Sequence, residues 1–211
     1  MSVALALEGP AGRLEALLDA PVGTTARAGA VVAHPHPLRG GTLHNTVVYR
    51  TAKALASAGF EVVRFNFRGV GASAGRHDEG RGEVDDVRAA LDELAHRGRT
   101  PLVAAGYSFG SVAALKAGLA DVRVVALAAL GLPLKIRELE FLRGCRKPLV
   151  VVQGSEDEFG PAAEVETALR GEPRIQVVPI EGSGHFFQGQ EARAGEEVAR
   201  FLAARIAGSD T

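Results

Sequence analysis

The stretch from Leu102 to Ser111 constrains this chain more than any other. It reads Leu-Val-Ala-Ala-Gly-Tyr-Ser-Phe-Gly-Ser. An apolar run closes on a Gly-x-Ser-x-Gly pentapeptide, Gly106 to Gly110, and a second apolar run, Val112 to Leu119, follows at once. Such a pattern predicts a strand, a very tight turn and a helix. Glycines at 106 and 110 remove Cβ atoms where strand and helix pass closest, which lets the backbone hold a strained conformation at Ser108. That turn lifts the Ser108 hydroxyl above the sheet edge, with a helix N-terminus beneath it. A chain organised around it must supply a base, a carboxylate and a second oxyanion donor from elsewhere.

The string alone is weak, because a glycine-rich chain of this length matches it by chance at roughly the one-in-ten level. The sequence carries its own control. Gly71-Ala72-Ser73-Ala74-Gly75 fits the same expression. It follows Arg68-Gly69-Val70 and runs into Arg76-His77-Asp78-Glu79, so no helix begins there. Context therefore assigns Ser73 to a solvated loop and Ser108 to the position of a nucleophile.

Around this turn, apolar runs and turn signals predict strands over residues 3–7, 12–19, 30–33, 61–66, 122–130, 149–153 and 175–180. Helices are predicted over 46–57, with Asn45 as N-cap, and over 85–96, 162–169 and 190–206. The first two strands share a short turn, Glu8-Gly9-Pro10-Ala11, and should form an antiparallel edge. From residue 30 onward strands and helices alternate. That order implies an α/β fold, a mostly parallel central sheet with helices on both faces. We find no repeat, linker or low-complexity tract, so residues 1–211 read as a single domain with no large cap. The connection over residues 131–147 is the longest near the site. Its apolar side chains either line an acyl pocket or cover the core.

With 46% apolar and 23% charged residues and a net charge of −1, the chain resembles an ordinary globular protein with no general attraction to nucleic acid or anionic membranes. The start has no basic segment before its apolar run, and no window reaches the length of a membrane span, so a cytoplasmic location is expected. A single cysteine, Cys145, forbids an internal disulfide and agrees with a reducing compartment.

A serine hydroxyl needs a base, and histidine is the usual one. His185, in Glu181-Gly182-Ser183-Gly184-His185, follows the last strand and is the only histidine after residue 96. The imidazole in turn needs a carboxylate. Asp157 sits three residues past Gly154, at the end of the preceding strand, with Glu156 and Glu158 as rivals. Two donors must hold the developing oxyanion. One is the backbone N–H of Phe109. The other comes from His34-Pro35-His36-Pro37-Leu38. The prolines have no N–H, which leaves His36 or Leu38, with Leu38 preferred. His36 and Tyr107 flank the same place and are expected to touch substrate. No further ligands accompany His34 and His36, so no metal is expected.

Taken together, His34-Pro35-His36-Pro37-Leu38-x-Gly40-Gly41, Arg64-Phe65-Asn66-Phe67-Arg68-Gly69-x-Gly71-x-Ser73-x-Gly75, Gly106-Tyr107-Ser108-Phe109-Gly110 and the Asp157 and His185 loops make the chain resemble the α/β-hydrolase superfamily. It is most similar to small, lidless esterases of the dienelactone-hydrolase type. The order Ser108, Asp157, His185 matches theirs. Dienelactone hydrolases proper carry cysteine as nucleophile, whereas this chain has Ser108, which points to ordinary ester hydrolysis. Cys145 lies between basic residues that favour a lowered pKa, but it lacks a strand-turn-helix. The resemblance implies a serine hydrolase acting without cofactor on small-to-medium esters, as a monomer or homodimer. Thioester, amide or peptide cleavage and non-catalytic ligand binding are the alternatives. Activity should rise as the base deprotonates, roughly between pH 6 and 8.

Overall fold

The computed structural model describes residues 2–23, 25–136 and 139–207. Eight strands make one sheet: β1 (Ser2–Gly9), β2 (Gly12–Asp19), β3 (Ala28–Ala33), β4 (Phe60–Phe65), β5 (Leu102–Tyr107), β6 (Val124–Leu130), β7 (Leu149–Gly154) and β8 (Ile175–Ile180). Their order is β1-β2-β4-β3-β5-β6-β7-β8. β1 pairs antiparallel with β2, and β2 with β4. Every other pairing is parallel. The antiparallel N-terminal edge on a parallel sheet is the arrangement the sequence pattern implies.

Strands β3, β5 and β7 are buried along their whole length. Neither face of these strands is open to water, because helices cover both, whereas the edge strands β1 and β8 are partly exposed. On one side α1 (Thr46–Ser57) and α5 (Glu191–Ala207) bury Val48, Leu55, Val198 and Leu202 against Val32, Val103 and Ala105. On the other, α2 (Gly82–His96) and α3 (Phe109–Ala120) bury Val87, Leu91, Leu94 and Leu115 against Val31, Ala104 and Ala129. The short α4 (Ala162–Ala168) adds Val165 to the same side. The chain leaves β3 toward β4 and leaves β5 toward β6, in opposite directions along the sheet. The C-terminal ends of β3 and β5 therefore border a crevice, which is where open α/β sheets place their ligands.

Helix α1 begins where its cap requires. Asn45 Oδ1 accepts the N–H groups of Val47 at 3.0 Å and Val48 at 3.4 Å. Helix α2 starts three residues earlier than its apolar periodicity suggests. Asp78 accepts the Gly82 N–H, and Glu83, fully buried, accepts the N–H groups of Asp78 and Gly80 at 2.8 Å each. Arg68 forks onto Asp86 at 2.7 Å. Acids in the first turn of α2 thus do more than complement its dipole. They pin the preceding glycine-rich loop.

The segment around Ser73 is a loop with Gly71, Ala72 and Gly75 at the surface, as expected, but Ser73 itself turns inward. Ser73 is buried, donates to the Asn66 carbonyl at 2.7 Å and accepts the Glu15 N–H at 2.9 Å. Its hydroxyl stitches the loop to β2 because buried polar groups need partners. Strand β6 begins at Val124 rather than 122, since Val122 is almost fully exposed. In the connection over 131–147, Leu132 and Leu142 are core residues, with Leu134, Leu139 and Phe141 packed against that core. Most of this segment covers the core. Among the described residues no helix is long and apolar enough to cross a membrane.

Candidate active site

Strand β5 ends at Tyr107 and α3 begins at Phe109, so Ser108 alone makes the turn. It does so at φ 54°, ψ −119°, a conformation that costs a non-glycine residue about 1–3 kcal/mol. The flanking glycines make this possible. A Cβ on Gly106 would lie 2.2 Å from the Gly110 carbonyl oxygen, and one on Gly110 would lie 2.3 Å from that of His34. Both clashes are with backbone, which no rotamer relieves. We expect Gly106→Ala to lower stability by about 3 kcal/mol or more, read as the urea unfolding midpoint. An unchanged midpoint would show that the elbow has slack.

His185 follows β8 and is buried. Its Nε2 lies 2.9 Å from Ser108 Oγ and its Nδ1 lies 2.8 Å from Asp157 Oδ2. Asp157, in the loop after β7, is fully buried, and its other oxygen accepts the Phe159 N–H at 2.8 Å. An ionised carboxylate only accepts, so Nδ1 carries the imidazole proton and Nε2 is left to accept from the serine. Of the rival acids, Glu156 is exposed, and Glu158 accepts the His185 N–H at 3.3 Å. Asp157 alone of the three meets the ring.

One contributor escaped the sequence reading. Gln153 is fully buried near the end of β7 and donates from Nε2 to Asp157 Oδ2 at 2.9 Å and to the Gly160 carbonyl at 2.7 Å. Its Oε1 accepts the Leu132 N–H at 2.7 Å. The signal was present: a glutamine after Leu-Val-Val-Val in an otherwise apolar strand must find buried partners.

The loop after β3 forms a short 3₁₀ turn, Pro37–Arg39. Here the structure corrects the sequence reading. The Leu38 N–H donates to His36 Nδ1 at 3.2 Å, capping this turn, and the Leu38 side chain is 72% exposed, outside the cleft. His36 lines the cleft beside Phe109, with ring centroids 5.0 Å apart. The Leu38 N–H is thus spent within the turn, and of the two donor candidates His36 is the one that lines the cleft.

Tyr107 also lines the cleft, but its hydroxyl is committed, donating to the His185 carbonyl at 3.0 Å. Burial, then the charges of Asp157 and Glu158, push its phenol pKa well up. Tyr107 thus supports the base loop as well as walling the site. The cleft encloses about 420 Å³. Pro133, Ile136, Phe159 and Phe186 form an apolar wall, and Arg39 and Asn45 bring polar groups to its edge. From the 131–147 connection, only Pro133 and Ile136 reach it among the described residues.

His34 is not in the cleft. It is fully buried, with Nδ1 2.6 Å from the Pro35 carbonyl and Nε2 accepting the Phe67 N–H at 3.0 Å. Both ring nitrogens are spent tying the loop after β3 to the end of β4. Burial pushes its pKa down from 6.5 to about 4. Above pH 6.5 neither the folded nor the unfolded chain protonates it. Between 6.5 and about 4 the unfolded chain takes up a proton that the folded chain refuses, so stability falls as pH falls. The full loss is about 3 kcal/mol. Paired carboxylates such as Asp19, whose pKa is lowered from 3.8, and Glu15, lowered from 4.5, add their own loss from the lower end of that window downward. Urea midpoints for wild type and His34→Gln across the pH range should differ in slope between pH 6.5 and 4. Parallel slopes would remove His34 as the cause.

Cys145 is buried, its thiol bonded to the Lys147 carbonyl at 3.3 Å, and burial raises its pKa despite the basic neighbours. Among the described residues no group of three or more His, Cys, Asp or Glu is placed to hold a metal ion.

A mostly parallel sheet with this strand order, a strained serine between β5 and α3, and a histidine and carboxylate from the loops after β8 and β7 define the serine-hydrolase class of α/β proteins. Residues 28–209 match the alpha/beta hydrolase domain, and the chain belongs to that family. It is 34% identical to a protein of Rickettsia prowazekii over 192 residues, which is 85% of this chain and 80% of that protein. An alpha-beta serine hydrolase homologue from Coxiella burnetii superposes with a TM-score of 0.88 at 36% identity, over 95% of this chain and 97% of the other. A lidless serine hydrolase from Xanthomonas campestris gives 0.87 at 33% identity, over 96% and 94%.

Proposed function

We propose that this hydrolase is a serine carboxylesterase acting on small-to-medium esters. The hydrogen-bonded series Ser108–His185–Asp157, opening into a cleft with one apolar wall, carries the reading. Ser108 Oγ attacks the ester carbonyl as His185 Nε2 takes its proton. The carbonyl oxygen becomes an anion held by the backbone N–H groups of Phe109 and His36. His185 then gives the proton to the departing alcohol, leaving an acyl group on Ser108. Water, deprotonated by His185, repeats the attack and releases the acid. Asp157 stays ionised throughout and stabilises the imidazolium.

The cleft's modest volume and the aromatic pair Phe159 and Phe186 suit a short or medium acyl chain. The mechanism draws on no cofactor. The chain acts as one domain, as a monomer or homodimer, on a small-molecule ester, with no part played by nucleic acid or membrane. Its single buried cysteine agrees with a cytoplasmic setting. The deciding experiment is turnover of p-nitrophenyl esters of increasing chain length beside acyl thioesters, which the same triad can open. Highest kcat/KM on the short oxygen esters is expected. Preference for thioesters would move the assignment, and no turnover on either would refute it.

A further inference from the structure

Next to the catalytic cleft lies a second cleft of about 620 Å³, and the two share Phe109 and Ile136 as walls. Its floor is a stripe of α3. Phe109, Val112, Ala113 and Lys116 fall on one helical face, so the stripe leads from the residue beside Ser108 to an ammonium group. Seven residues of helix advance about 10 Å. The walls hold three cations, Arg81, Arg88 and Lys116, against one carboxylate, Glu79. Both arginines are met by carboxylates, so the charge left for a ligand centres on Lys116 at the far end of the stripe.

The cations are available to a ligand. Lys116 is exposed, its Nζ stands 5.3 Å from the centre of the Phe141 ring, and no described carboxylate lies within ion-pair distance. Arg81 pairs with Asp78 and Glu79, and Arg88 with Asp85, but all these pairs are exposed. Exposed pairs contribute little and exchange readily for a better anion. Apolar surface followed by cations is the surface that an aliphatic arm ending in an anion would complement.

We infer that the second cleft is an anion subsite, and that the substrate is an ester with one arm running over Phe109 and ending in a carboxylate or phosphate near Lys116. This rests on the serine-esterase reading and refines its substrate class.

The test compares kcat/KM for the p-nitrophenyl hemiester of sebacic acid, an extended diacid of comparable length, with that for the same compound methylated at its free carboxylate. Wild type should prefer the anionic form. In Lys116→Glu the ratio should fall about tenfold, mostly through KM, with Lys116→Gln between the two. The preference should shrink at high salt. A parallel pair, 10-acetoxydecanoate and its methyl ester, places the anion on the alcohol arm instead. A response in either pair supports the subsite and says which arm enters it. Ratios that move less than twofold in both pairs overturn it. Hydrolysis of p-nitrophenyl acetate by wild type keeps the two questions apart. If that ester is cleaved and the ratios stay flat, only the subsite falls; if it is not cleaved, the esterase reading falls too.

Discussion

Ser108→Ala is expected to abolish covalent labelling by a fluorophosphonate and to lower ester turnover by about 10⁴-fold or more. The reasoning starts from the backbone. Ser108 stands alone between β5 and α3 at φ 54°, and the strain is tolerated because Gly106 and Gly110 let strand, helix and the end of β3 close around it. Such a geometry has no packing purpose that a glycine would not serve better. It exposes one hydroxyl at 2.9 Å from a histidine nitrogen. Alanine keeps the turn and removes only the oxygen, so stability should change little while acylation ends. Ser73→Ala supplies the comparison. It leaves Ser108 intact and removes a buried hydroxyl that ties a loop to β2, so it should cost stability and leave labelling unaffected. Labelling of Ser108→Ala at the wild-type rate would place the nucleophile elsewhere.

What the sequence made legible follows from how each signal is encoded. Alternating strands and helices, the glycine pair of the elbow and the residues after β7 and β8 are local in the chain, so pattern and spacing reach them. The choice between Leu38 and His36 was not legible because it depends on which N–H the turn itself consumes, and His36 Nδ1 takes that of Leu38. The loop around Ser73 is exposed as its composition implies, but the Ser73 hydroxyl turns inward to the Glu15 N–H and the Asn66 carbonyl, contacts with distant residues that the loop's composition does not show. The shared walls of the two clefts join α3 to the segment after β6, a relation between distant residues that no local pattern expresses.

Asp157→Asn should reduce kcat/KM by about 10³-fold while leaving Ser108 slowly reactive toward the fluorophosphonate. Asp157 sits among donors only. Its Oδ2 meets His185 Nδ1 and Gln153 Nε2, and its Oδ1 meets the Phe159 N–H. An asparagine can put its oxygen toward one side alone. The side with two donors is favoured, which keeps the His185 tautomer and sets the new NH₂ against the Phe159 N–H. Gln153 cannot turn over to compensate, because its Oε1 is held by the Leu132 N–H and its Nε2 by the Gly160 carbonyl. Position and tautomer of the imidazole are therefore kept, and what is lost is the negative charge facing it. That charge matters only once His185 has taken the serine proton, so the loss should fall on kcat more than on KM. Unfolding measurements should show a smaller penalty, about 1–3 kcal/mol, for the unsatisfied Phe159 N–H. Wild-type turnover in Asp157→Asn would transfer the acid's role to Glu158, whose Oε2 already lies 3.3 Å from the His185 backbone nitrogen.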